Sequence, residues 1–124
     1  MRVGLKSSVR FGERKHTTWF AMGVWHALSV ILANRPLIVT SANDSKHMTG
    51  SKHYTDDAFD ARVRHLTADQ RRQIVQWGRK ILDPLGYDIV SFDSPNPKEA
   101  SRHKDHDHVE YDPKPGESLT EIVK

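Results

Sequence analysis

Residues 19–33 form an almost unbroken apolar run, and helical spacing sets Phe20, Val24, Ala27, Leu28 and Ile31 on one face. Thr17 or Thr18 can cap its start, and Asn34-Arg35-Pro36 stops it. The run is short for a bilayer span, includes His26 and Ser29, and carries Ile31 where a signal peptidase site needs a small residue, so it predicts a buried core helix. His26 is then a packed, hydrogen-bonded histidine. Residues 36–41 read as a short β-branched core strand leading into the small and polar loop 43–50, a natural substrate-binding edge that carries His47. In Ala58-Phe59-Asp60-Ala61-Arg62 the period of two sends Phe59 and Ala61 to the core and Asp60 to the other side. Thr67 and Gln70 have the spacing of a capping box. The helix they open has Ile74, Trp77, Ile81 and Leu82 on one stripe, with Arg71, Arg72, Arg79 and Lys80 on the wet face. Asp83-Pro84-Leu85-Gly86 ends it, and an alternating strand over 87–92 follows. Residues 93–104, with Pro95 and Pro97, predict a polar loop, and His106-Asp107-His108-Val109-Glu110-Tyr111 a last strand. That strand groups His106, His108 and Glu110 on one face, with Val109 and Tyr111 behind.

The mixture predicts an α+β fold, a small antiparallel sheet flanked by helices, in one domain over residues 1–124. Residues 1–16 make a basic N-terminal segment, and 114–124 a flexible tail with little means of packing. With 36% hydrophobic and 28% charged residues the chain is that of a folded, soluble domain. The net charge of +3 is the small excess of a solvated surface. Neither a nucleic-acid partner nor a membrane is expected.

Composition changes the picture in one respect. The chain has 8 His and no Cys. Without thiolates, any zinc must sit on nitrogen and oxygen, which favours a catalytic over a structural metal. Two places concentrate such donors: His53 and Asp60 in the stretch 51–60, and Asp105-His106-Asp107-His108. Read as extended chain, the face with His106, His108 and Glu110 can meet Asp60. Two imidazoles and a carboxylate are the usual protein ligands of a catalytic zinc whose fourth position holds water.

The pattern Ser51-x-His53-x-x-x-x-Ala58-x-Asp60, followed by a strand x-x-His-x-Glu, resembles the zinc D-alanyl-D-alanine carboxypeptidases and the L-alanoyl-D-glutamate endopeptidases of phages and bacteria. Those families share a core with lysostaphin-type enzymes and the hedgehog N-domain. The resemblance covers residues from about Val39 to Pro113. It implies a hedgehog/DD-peptidase-like fold, one zinc ion held by His53, Asp60 and His108, and a peptidoglycan stem peptide cut beside a D-amino acid. It leaves the base open between Asp105, three residues before the last ligand, and His106, the first His of a His-x-His pair. Strand geometry favours His106; the closer likeness to the endopeptidase branch ranks Asp105 first. Ser51, Glu110 and His47 are expected to orient ligands or touch substrate. Where the family has Gly this chain has Asp56, and where many relatives have Arg it has Ser41-Ala42-Asn43-Asp44, with Lys46 and Arg62 the nearest cations. Made without a clear signal peptide, such a protein is expected to be synthesised in the cytoplasm as a monomer and to act on the wall after release.

Two other classes compete. A zinc-binding protein with a degenerate peptidase site fits the same ligands without the chemistry. A His-Asn-His-type metal nuclease fits the cluster 105–108, but needs a further helix with Asn and His after the first strand, and no His follows His108.

Overall fold

The computed structural model describes residues 1–7, 9, 16–42 and 57–114. The elements run β1 (Gly4–Leu5), α1 (His16–Ala33), β2 (Ile38–Ser41), β3 (Ala58–Arg62), α2 (Ala68–Leu82), β4 (Tyr87–Val90), α3 (Pro97–Arg102) and β5 (His106–Tyr111). The fold is α+β, as the alternation of periods predicts. The sheet order is β1-β2-β3-β5-β4. It is antiparallel except at one edge, where β1, within the basic N-terminal segment, pairs parallel to β2. The expected antiparallel sheet is therefore a mixed one.

Antiparallel pairing of β5 with both β3 and β4 makes β3 and β4 parallel, joined by α2 with one strand slot open between them. β5 fills that slot, so the strand richest in histidine lies between two neighbours.

Helices α1 and α2 pack on each other and on one face of the sheet, around a core that includes Trp25, Leu37, Val39, Phe59, Ile74, Val75, Leu82 and Val109. The capping box forms as predicted: Gln70 N–H donates to Thr67 Oγ1 at 3.1 Å and Thr67 N–H to Gln70 Oε1 at 2.9 Å. A short 3-10 turn, Asp83–Leu85, closes α2, and Gly86 takes the positive φ of 97° that the turn into β4 requires. His26 is hydrogen-bonded as expected: its Nδ1 accepts from Leu37 N–H at 3.1 Å, so Nε2 donates to the Met1 carbonyl at 2.7 Å.

Several faces differ from the sequence reading. In α1 the buried residues are Thr17, Thr18, Ala21, Met22, Trp25 and Ser29, while Phe20 and Ile31 are exposed. Thr17 and Thr18 thus lie within the helix rather than capping it. A helix apolar all round offers periodicity no face to choose. The choice falls to Trp25, whose ring lies on Gly78 of α2 so closely that a Cβ there would come within 2.3 Å of its Cζ3. That contact rotates α2 as well. Arg71, Ile74, Val75, Gly78 and Leu82 point inward, whereas Trp77 and Ile81 are exposed. Residues 93–104 are not all loop: Asn96 caps α3 by accepting from Lys98 N–H at 2.9 Å, and Pro97 stands in the first turn, where a missing N–H costs nothing.

Gly78→Ala is expected to lower stability by about 1–3 kcal/mol, since the new methyl must displace a fully buried indole. A urea midpoint equal to that of the parent would show that Trp25 has room to move.

Candidate metal centre

On β3 the alternation works as read. Phe59 and Ala61 enter the core, and Asp60 faces the opposite side of the sheet at 9% exposure. On β5, Asp107 and Val109 are buried beneath the sheet, while His106, His108 and Glu110 project on the other face. Asp60 and His108 are direct partners in the β3–β5 register. Side chains so paired have Cβ atoms about 5 Å apart, within reach of a direct bond. Residues 48 positions apart in sequence are thus joined: His108 Nδ1 lies 2.9 Å from Asp60 Oδ1.

The cluster extends on both sides. His108 Nε2 lies 3.3 Å from Glu110 Oε1. His106 Nε2 faces the other oxygen of Asp60 at 3.9 Å, and His106 Nδ1 is 2.9 Å from Asp105 Oδ1. Asp105 itself stands at the strand entry with its side chain 84% exposed. Arg62 is the register partner of His106 and lies on the site face of β3. The ring of His103, at the end of α3, sits 4.8 Å from that of His106 and 6.0 Å from that of His108. Its Nδ1 donates to the Glu99 carbonyl at 2.6 Å, which leaves Nε2 as the acceptor of the neutral ring.

Burial alone would push the His108 pKa down, but hydrogen bonds to Asp60 and Glu110, with their charges, outweigh it and raise the value to about 9. In the metal-free protein His108 is therefore an imidazolium donating to two carboxylates. Asp105 is held below the usual carboxylate range, chiefly by its hydrogen bond with His106.

His53, Ser51 and His47 lie outside the described residues, as do Asp56 and Lys46. Of the expected zinc ligands, Asp60 and His108 meet; of the two base candidates His106 stands beside them, and Asp105 reaches only His106. Among the described residues no group of three or more metal-ligating side chains is placed to hold an ion. The donor types at Asp60 and His108, a carboxylate and an imidazole, are ones that zinc accepts.

Sequence reasoning missed the residue beneath the site. Arg71, assigned to the wet face, is 9% exposed and bonded to Asp107, which is 1% exposed. The signal was available: the alternation that sends His106 and His108 outward sends Asp107 into the core, where a carboxylate needs a cation. No known protein family, no curated protein and no solved structure matches this chain.

Proposed function

We propose that the chain is a zinc-dependent peptidase that hydrolyses peptidoglycan stem peptides next to a D-amino acid. The observation that carries the reading is the meeting of Asp60 and His108, the two described members of the expected ligand set, at 2.9 Å from adjacent strands. His53, Asp60 and His108 would hold the metal. Bound there, zinc supplies a Lewis acid for the scissile carbonyl and a water acidic enough to be deprotonated near neutral pH.

The chain's own residues divide the remaining work. His106 is the better placed base: its Nε2 points at the Asp60 side of the cluster, and its Nδ1–H donates to Asp105. A base oriented through its far nitrogen by a carboxylate keeps the correct tautomer and gains a partner once protonated. Asp105 then serves as that orienting carboxylate, the reverse of the ranking that family likeness favours. Glu110 holds His108 from its Nε2 side.

A groove of about 500 Å³ runs along the edge strand β4, lined by Asp88, Val90, Glu110, Arg79 and Lys114 among others. It reaches Glu110, beside His108, while its cations are already paired, Arg79 with Asp93 and Lys114 with Asp88.

The test combines metal analysis with digestion of purified muropeptides followed by mass spectrometry. One zinc per chain, with cleavage lost on chelation and restored by zinc, is the expected result. Zinc retained without cleavage would leave a non-catalytic zinc protein, and absence of zinc at micromolar free metal would end the reading. A plasmid-nicking assay is expected to be negative.

A further inference from the structure

We propose that Arg71 is a positioning residue for this site, holding the entry of β5 so that His106 meets Asp60. The proposal rests on the reading of Asp60, His106 and His108 as the reactive cluster.

Arg71 comes from α2, on the opposite face of the sheet, yet its guanidinium is spent on the strand that carries the histidines. Nε and Nη2 donate to Asp107 Oδ1 at 3.1 and 2.8 Å. Nη1 donates to the Lys104 carbonyl at 2.8 Å, and Nη2 to the carbonyls of His103 and His106 at 2.6 and 3.1 Å. One planar cation thus gathers three backbone carbonyls of the turn 103–106 and the carboxylate between the two site histidines. Ser91 Oγ adds a further hydrogen bond to Asp107 Oδ1 at 2.6 Å, and the guanidinium lies 4.9 Å from the Phe92 ring centroid.

The consequence falls on His106. Its own carbonyl is an acceptor of Arg71, its neighbour Asp107 is the ion-pair partner, and His103, whose ring flanks it, has its carbonyl tied as well. α2 is anchored by Ile74 and Val75 in the core, so the turn inherits a fixed reference. A purely structural ion pair would need only Asp107; the three carbonyl bonds add control over where the turn delivers the imidazole. Lysine could replace the charge but not the fan of donors, because its ammonium is a point charge without a planar fork.

The experiment uses the full-length protein with Arg71→Lys and with the paired change Arg71→Met/Asp107→Leu, which removes the charges together. Long-range nitrogen–proton NMR of the histidine rings is recorded without metal, and zinc content and muropeptide cleavage are measured separately. In both variants the His106 and His103 ring signals are expected to shift or broaden while that of His26, bonded to Met1 and Leu37 away from this turn, stays in place. Because His106 is the base and not a zinc ligand, muropeptide cleavage is expected to fall about 10- to 100-fold while zinc is retained, the usual cost in activity of disturbing a group that orients a reacting residue. His106 signals identical to the parent's would overturn the proposal. So would loss of the His26 signal together with those of His103 and His106 in both variants, since Arg71 would then serve the whole fold. If the parent takes up no zinc, the peptidase reading fails while the metal-free spectra still decide the role of Arg71.

Discussion

Asp60→Ala and His108→Ala proteins are expected to emerge from purification with zinc at background and to cut no muropeptide, where the parent is expected to carry one zinc and to cut. Each change removes one of the two donors that meet across the β3–β5 register, and a three-ligand site deprived of one holds its metal far more weakly. Asp60→Asn is the sharper version. It keeps the size of the side chain and a carbonyl oxygen but withdraws the charge, so zinc should be lost without a change in packing. A linked effect appears in the metal-free parent. The folded pKa of His108, about 9, lies above the ordinary histidine value, so its proton stabilises the fold fully below about pH 6.5 and ceases to do so as pH rises toward 9. Urea midpoints of the metal-free parent should therefore fall across that window. The dependence should be much weaker in Asp60→Asn, and zinc should reverse it because binding expels the proton. Full zinc content in both alanine variants would remove Asp60 and His108 from the ligand set.

Arg71→Leu costs about 3–5 kcal/mol of stability, the usual penalty for leaving one member of a buried ion pair alone. Against the 5–15 kcal/mol typical of a whole domain, this is a loss as large as truncating a buried aromatic such as Trp25 or Phe59. Asp107, 1% exposed, would keep Ser91 as its one side-chain donor among the described residues. Burial already pushes the Asp107 pKa upward against the pull of Arg71. Without the guanidinium the carboxyl has every reason to bind a proton, so the variant should recover part of its stability as pH falls. The measurement is urea unfolding of parent and variant at neutral and acid pH. A loss under about 1 kcal/mol, or one that does not shrink in acid, would mean that water reaches Asp107 and that the pair is less buried than it looks.

How much of this could be read from the chain depends on whether a residue's setting is local. β5 was legible because strict alternation separates His106, His108 and Glu110 from Asp107 and Val109 within six residues. The capping box and the Pro84-Gly86 turn were legible because their chemistry acts over three or four residues. The burial of Trp25 rather than Phe20 was not, because it depends on the missing side chain of Gly78, far along the sequence and on another helix. Arg71 was hidden in the same way: Arg71 and Arg72 are identical in type, and only the position of Asp107 distinguishes the one turned inward. α3 is six residues long, and its two signals, Asn96 and Pro97, also mark loops. The pairing of Asp60 with His108 was inferred as two faces able to meet. Their direct register needs β5 to lie between β3 and β4, a matter of topology on which side-chain periodicity is silent.

That insertion has a temporal consequence. β5 is made after both of its neighbours, so a growing chain that has not yet reached His108 carries Asp60 without its register partner. The cluster around Asp60 can therefore assemble only once β5 has been made and has docked between its two neighbours.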